Sequence, residues 1–79
     1  MHPINNPVQI GATLTARRKH LKLSQTDVAN RLGLSQNRIS ELEAKPESLT
    51  VEQLLALLTV LGLEMTISER ASGKPRVEW

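Results

Sequence analysis

The chain has 79 residues, of which 39% are hydrophobic; it carries a net charge of +2, one aromatic residue and no cysteine. A chain of this length forms one domain with a small core, and without cysteine it has neither a disulfide scaffold nor a Cys-based zinc site. No apolar run approaches the length of a membrane span, and the N-terminus lacks the basic and apolar regions of a signal peptide, so we expect a cytoplasmic protein.

The charge is distributed unevenly along the chain. Residues 1–45 contain seven basic and three acidic groups, whereas residues 46–79 contain three basic and five acidic groups. An excess of positive charge favours binding to phosphates, so the basic half suits a nucleic acid. The acidic half indicates a different partner. A solvated basic helix face remains the alternative for the cluster from Arg17 to Lys22.

The first predicted helix begins after a short N-terminal arm, residues 1–6. Asn6 is a suitable N-cap, and Pro7 occupies the first helical position, where a missing amide hydrogen has no cost. Apolar residues at helical spacing predict an inward stripe as far as about residue 21. Its members are Ile10, Leu14 and Leu21.

Two short amphipathic segments follow, and their boundaries are typical of a helix-turn-helix. Ser24 and Ser35 are N-cap residues, Asp27 lies in the first turn of the first segment, and Gly33 ends that segment. Two short helices joined by a three- or four-residue turn pack at a steep angle. The predicted inward residues are Val28, Ala29 and Leu32 in the first helix, and Ile39 and Leu42 in the second.

The outer face of the second helix is polar. At about 100° per residue, Asn37, Ser40 and Glu41 point most directly away from the core, with Gln36 and Arg38 on the flanks. Gln and Asn can bond adenine in a bidentate fashion, and Ser can bond several bases. A surface helix with a purely structural role more often alternates Glu and Lys. The pattern therefore favours DNA reading over an ordinary helical hairpin.

A last helix is predicted after a loop at residues 45–49. Thr50 and Gln53 form a capping box, and Gly62 stops the helix at about Leu61. Apolar residues surround most of this helix, so we expect one side to face its own core and the other a second copy of the chain. These residues are Leu54, Leu55, Leu57, Leu58, Val60 and Leu61.

Residues 63–69 have the period-two pattern of a half-buried strand. Leu63, Met65 and Ile67 alternate with polar residues. A lone strand in a helical chain lacks a hydrogen-bonding partner, and pairing with the same strand of a twofold-related copy supplies one. The alternative is an irregular extended segment.

The remaining segment, residues 70–79, is predicted to be a flexible tail. It carries the single aromatic residue of the chain, Trp79, and we expect Val77 and Trp79 to dock in a pocket of another protein, since tryptophan is enriched among binding hot spots. The alternative is a tail without a role. His2 and His20 stand apart from any carboxylate or nucleophile at a recognised spacing, so we predict no catalysis, no cofactor and no metal.

The run SQTDVANRLGLSQNRISELE, residues 24–43, resembles the helix-turn-helix of the phage-repressor-like (Cro/CI, XRE) superfamily. The stretch PESLTVEQLL at 46–55, the strand and the tail ending in Glu78 and Trp79 are similar to the HipB family of antitoxins. This resemblance implies a mostly α fold, with a four- to five-helix DNA-binding domain at 7–62 and a C-terminal β-strand at 63–69 that pairs across a homodimer.

The resemblance also implies partners and site residues. HipB-like antitoxins bind palindromic operator DNA, repress their own operon and inhibit a HipA-like serine/threonine kinase toxin. The alternatives are a stand-alone XRE-type regulator, an antitoxin to another toxin class such as a ribosome-dependent RNase, and a helical interaction module without DNA binding. By position, base contacts are expected from Ser35, Gln36 and Asn37, phosphate contacts from Gln25, Arg38, Ser40 and Lys45, and dimer contacts from Leu57, Leu63, Met65 and Ile67. Glu41 departs from the pattern, because an outward carboxylate repels phosphate.

Overall fold

The computed structural model describes residues 4–69, which form four α-helices and one short 3-10 turn. The mostly helical fold predicted from the sequence is confirmed, and none of the helices in this range is long and apolar enough to cross a membrane. The elements are α1 (Pro7–His20), α2 (Gln25–Leu32), α3 (Gln36–Ala44), the 3-10 turn (Pro46–Ser48) and α4 (Val51–Val60).

The predicted capping residues begin all four helices. The Asn6 side chain accepts from the backbone N–H of Gln9, and Ser35 Oγ accepts from the backbone N–H of Arg38, both at 3.1 Å. The Thr50–Gln53 capping box forms as expected. Such caps satisfy backbone donors that have no partner within the helix.

The start of α2 holds a second capping box that the sequence interpretation missed. Ser24 Oγ accepts from the N–H of Asp27, and Asp27 Oδ2 accepts from the N–H of Ser24, each at 2.9 Å. Its position in the first turn predicts only that the Asp27 carboxylate favours the positive end of the helix. The hydrogen bonds from the backbone and hydroxyl of Ser24 lower the pKa of the Asp27 carboxyl.

Two of the helix ends use glycine, as predicted. Gly33 has φ of +69° and Gly62 has φ of +68°, both in the left-handed region where a side chain is costly. The end of α1 differs, because Lys22, with φ of +60°, makes the left-handed turn. Leu21 lies at this turn and is 37% exposed, so its predicted inward position is wrong. Leu23, beyond the turn, packs against the core instead.

All four helices contribute to a single core within the described residues. The predicted inward positions of Leu14, Ile39 and Leu42 are confirmed, with at most 2% of each residue exposed. Leu57 is 4% exposed in the same core, so its predicted place in a dimer interface is wrong. Packing against the other helices determines which side of α4 faces the core. The periodicity of its apolar residues did not reveal this side. The core comprises Leu14, Val28, Ala29, Ile39, Leu42, Leu57 and Leu61.

Residues 63–69 have neither helix nor strand in the single chain. Leu63 packs at the edge of the core, whereas Met65 and Ile67 are 48% and 93% exposed. The predicted strand requires a second copy of the chain to pair with, and the pairing stays a prediction. Val77 and Trp79 lie outside the described residues, as do residues 1–3 of the predicted arm.

The helix α1 lies very close to the end of α3 at Gly11. A Cβ atom at this position would lie 2.5 Å from Cγ of Pro46 and 2.6 Å from the carbonyl oxygen of Glu43. Both distances are too short for a carbon atom, and one neighbour is backbone that cannot move independently. Gly11 therefore sets how closely α1 packs against α3 and the 3-10 turn.

We predict that Gly11→Ala lowers the free energy of unfolding by about 1–3 kcal/mol, because overpacking outweighs the better helix propensity of alanine. Urea denaturation measures the change. The matched control is the reverse substitution at the next, exposed position, Ala12→Gly, which costs about 0.5–1 kcal/mol through propensity alone. A Gly11→Ala protein more stable than the wild type would contradict the close approach.

Candidate nucleic-acid interface

The helices α2 and α3 form a helix-turn-helix, and its turn and buried side chains determine which face of α3 is exposed. Gly33 ends α2 in the left-handed conformation, and the N–H of Leu34 donates to the carbonyl of Ala29 at 2.9 Å. In α3, Ile39 and Leu42 are 1% and 0% exposed. Because these two side chains fix the rotation of α3, its opposite face is turned to the solvent.

The three predicted base-contacting residues lie together where α3 begins. Ser35, Gln36 and Asn37 are all exposed at consecutive positions. Ser35 Oγ already accepts from the N–H of Arg38, so the hydroxyl retains its hydrogen as the donor for another group. Ser40, a predicted phosphate contact one turn later, is half-buried, whereas Lys45 at the end of α3 is exposed.

A side-chain hydrogen bond joins the first residues of the two helices. Gln36 Nε2 donates to Gln25 Oε1 at 2.5 Å, and Gln25 Nε2 donates to Glu43 Oε1 at 3.1 Å. Gln25, predicted to contact a phosphate, thus uses its carbonyl oxygen and one amide hydrogen within the fold. Its second amide hydrogen remains for a phosphate oxygen.

The inner end of this chain of hydrogen bonds is an ion pair between α1 and α3. Arg18 Nε and Glu43 Oε2 are 2.7 Å apart, Arg18 Nη2 donates to Glu43 Oε1 at 3.2 Å, and Arg18 Nη1 donates to the carbonyl of Leu23 at 2.9 Å. The two charged side chains are only 11% and 13% exposed. Burial raises the pKa of the Glu43 carboxyl, but hydrogen bonds from Arg18 and Gln25 and the charge of Arg18 outweigh it and lower the pKa overall.

Sequence reasoning missed this pair, since it counted Arg18 among the groups available to phosphates. The signal in the sequence was the place of Glu43 beside the buried Leu42, on the inner flank of α3, where a carboxylate needs a partner.

Arg38 and Glu41 form a second ion pair, on the surface of α3. Arg38 Nη2 also donates to Oε1 of Gln53 at 3.2 Å, which ties α3 to the capping box of α4. The negative charge of Glu41, which departs from the family pattern, is therefore compensated by Arg38 one turn away. The i, i+3 spacing was a readable signal for this pair. The guanidinium of Arg38 is engaged within the protein, and its contact with phosphate stays a prediction.

The seven basic residues of the first 45 fall into two groups. Arg17, Arg18 and Arg38 donate to other parts of the fold; Arg17 Nε, for example, donates to the carbonyl of Leu61 at 2.9 Å. These three arginines stabilise helix packing. The exposed basic residues are Lys19, Lys22, Arg31 and Lys45.

Comparison with known proteins agrees with this architecture. A helix-turn-helix family model matches residues 14–68 of the chain. Antitoxin HipB of Escherichia coli (strain K12) is 26% identical over 72 residues, which covers 91% of this chain and 82% of that protein.

Solved structures of HipB complexes share the fold. A HipB–O1–O2 complex superposes with a TM-score of 0.80 at 26% identity, covering 87% of this chain and 100% of that one. A HipA–HipB–O2–O3 complex gives a TM-score of 0.81 at the same identity, covering 87% of this chain and 97% of that one.

We predict that Arg18→Met lowers the free energy of unfolding at neutral pH by about 1–3 kcal/mol, because the Glu43 carboxylate loses its charged hydrogen-bond donor. The pKa of Glu43 is lower in the folded than in the unfolded chain. Its contribution is therefore complete above the unfolded pKa and is lost as the pH falls through the folded pKa. The difference between the two proteins should shrink on acidification.

Urea denaturation at pH 7 and about pH 3 measures both effects, with Lys19→Met as the control for loss of an exposed cation on the same helix. A difference that is equal at the two pH values would contradict the role of the ionised Glu43.

Proposed function

The chain belongs to the helix-turn-helix family and is HipB-like in sequence and fold, and from this premise we propose that it is the DNA-binding antitoxin of a toxin-antitoxin module. In this proposal a homodimer binds a palindromic operator and represses its own operon. The same dimer neutralises a HipA-like serine/threonine kinase toxin.

The observation that carries the proposal is the exposed polar edge at the start of α3. Ser35, Gln36 and Asn37 present hydrogen-bonding groups without any large apolar neighbour on that face, as insertion into a major groove requires. Exposed Lys45 and the spare amide hydrogen of Gln25 flank this edge and serve as phosphate contacts, with Ser40 beside them. Phosphate contacts fix the register of the protein, and the three residues at the edge supply sequence preference.

The dimer is supported by apolar residues that the single chain leaves exposed. Met65 and Ile67 are 48% and 93% exposed, and Leu55 on α4 is 45% exposed. Pairing of residues 63–69 with the same segment of a second copy covers this surface and supplies the strand partner. Two recognition helices related by a twofold axis then fit half-sites roughly 34 Å apart.

The assignment of the toxin rests on similarity and charge. A relative of the same fold has been solved in a HipA–HipB–O2–O3 complex. The acidic half of this chain, residues 46–79, favours a basic surface on the toxin, and Val77 and Trp79 are the proposed anchor. Co-purification with the product of an adjacent kinase gene would support this assignment, whereas an adjacent gene for an RNase toxin would support the alternative class of antitoxin.

We predict that Gln36→Ala and Asn37→Ala each weaken binding to the DNA that precedes the gene by about 1–3 kcal/mol and relax preference at one base position. Lys45→Ala should weaken binding to all sequences alike and reduce the slope of log K against log salt by about one, because one fewer counterion is released. Fluorescence anisotropy titrations at several salt concentrations measure both effects.

Asn30→Ala is the matched control, since Asn30 is an exposed asparagine in the second half of α2. Its affinity should equal that of the wild type. The same loss of sequence preference from Gln36→Ala, Asn37→Ala and Lys45→Ala would contradict the division into base and phosphate contacts.

We predict that Met65→Asp or Ile67→Asp produces monomers, because each places a charge in the buried face of the paired strands. Operator affinity should then fall by far more than one lost contact explains, since the two half-sites are no longer held together. Sedimentation velocity measures the oligomeric state. Ser68→Asp, on the opposite face of the strand, is the control and should remain dimeric; dimers in the Met65 and Ile67 variants would reject the pairing.

A further inference from the structure

A side chain from α1 bonds the turn that follows α4. Arg17 Nε donates to the carbonyl oxygen of Leu61 at 2.9 Å, although the two residues are 44 positions apart in the chain. Arg17 is half-buried, and Leu61 is 2% exposed in the core. The hydrogen bond therefore joins α1 to the point at which the chain leaves α4 and enters residues 63–69.

Backbone hydrogen bonds fix this turn relative to α4. The N–H of Gly62 donates to the carbonyl of Thr59 at 3.2 Å, and the N–H of Leu63 donates to the carbonyl of Leu58 at 2.8 Å. Gly62 has the left-handed conformation that helix ends of this kind require. These bonds set the path of the chain with respect to α4, but they do not involve α1.

Arg17 supplies the missing restraint between the turn and α1. Within the described part of the chain, no backbone N–H donates to the carbonyl of Leu61, so the guanidinium is its donor. The guanidinium also lies beside the turn, because Arg17 Nη2 is 3.4 Å from the position that a Cβ atom on Gly62 would occupy. A hydrogen bond from a charged donor is stronger than one between neutral groups. Its position on the peptide group between Leu61 and Gly62 fixes the turn relative to α1.

This turn is the last firm attachment of the segment that is proposed to pair with a second copy. Leu63 packs against the edge of the core, whereas residues 64–69 are all exposed. Side chains alternate in direction along an extended segment, so the orientation at its start determines where the face carrying Met65 and Ile67 is directed. Ordering a segment on association has an entropic cost, and this cost is smaller when the start of the segment is already fixed.

We propose that Arg17 is a positioning residue for dimerisation. By bonding the Leu61 carbonyl it holds the turn, and it thereby presents residues 63–69 in the orientation that pairing across a twofold axis requires. This inference rests on the proposed function, because it assumes that these residues pair. Arg17 acts through the turn of its own chain and contacts neither the second copy nor DNA.

The substitution Arg17→Met tests this role in the full chain. Methionine keeps an unbranched side chain at the position but has no group that can donate to the Leu61 carbonyl. Each dimer contains two such turns, so a factor of about three at each becomes about tenfold in the dissociation constant of the dimer. Sedimentation at a series of protein concentrations should show this increase, under conditions where circular dichroism shows both proteins to be folded.

Arg31→Met is the matched control, because Arg31 is an exposed arginine in the last turn of α2. It removes the same charge and should dimerise as the wild type does. An Arg17→Met protein that also dimerises as the wild type does would overturn the inference and leave the dimer in place. A wild type that is monomeric at every concentration would overturn the proposed dimer and the inference with it.

A role of Arg17 in stability alone predicts a different pattern. Urea denaturation of the Ile67→Asp protein, which is expected to be monomeric, measures the effect of Arg17→Met on folding in the absence of a dimer. A lower free energy of unfolding in this monomer, together with an unchanged dissociation constant of the Arg17→Met dimer, would reduce Arg17 to a stabilising residue and overturn the inference.

A second pair of variants tests the turn if Arg17→Met does not fold. Gly62→Ala and Gly33→Ala each add a Cβ atom at a residue with a left-handed φ, +68° and +69°, so both strain the end of a helix to a similar degree. Only Gly62 leads into the pairing segment. Gly62→Ala should therefore weaken dimerisation by about tenfold or more, whereas Gly33→Ala should dimerise as the wild type does. Equal dissociation constants for the two variants would overturn the inference.

Discussion

The way α3 packs against α1 determines which side chains are exposed at the polar edge where α3 begins. Ile39 and Leu42 fix the rotation of α3 by burial, Gly11 allows α1 to approach within contact of Pro46 and the Glu43 backbone, and the Arg18–Glu43 pair ties the two helices at the edge of the core. A charge pair that is nearly buried stabilises a fold only when its geometry is good and its remaining groups are bonded. Here both carboxylate oxygens have donors, so the pair fixes the helices without leaving an uncompensated charge.

Stability and function share the same small set of contacts. Seven residues make up the buried core of the described range, and several apolar residues outside it remain exposed, among them Met65 and Ile67. A domain of this size buries a limited fraction of its surface, and in the proposed dimer a second copy of the chain supplies additional burial. In the proposed dimer, the twofold pairing that covers the exposed apolar residues also sets the distance between the two copies of α3. Loss of the dimer and loss of DNA binding are then expected to occur together.

Local signals in the sequence were sufficient to predict the helices. They did not predict contacts between residues that are far apart in the chain. Asn6, Ser24, Ser35 and Thr50 bond amides within one turn, so their role depends only on neighbouring residues. The Arg18–Glu43 pair joins positions 25 residues apart and depends on how the helices cross, which periodicity does not specify. For the same reason Leu57 was assigned to the wrong side of α4. The Arg38–Glu41 pair was readable from its i, i+3 spacing, and it explains the outward glutamate that charge alone made unfavourable.

The most direct test of the exposed polar edge at the start of α3 is an NMR titration of the ¹⁵N-labelled protein with a duplex taken from the DNA that precedes the gene. The largest shift changes should occur at the backbone amides of Ser35, Gln36 and Asn37 and at the side-chain amides of Gln25, Gln36 and Asn37. The exposed face of α4, around Val51 and Leu55, should be unaffected. Shift changes concentrated on α4, with the start of α3 unaltered, would contradict the assignment of this edge to DNA.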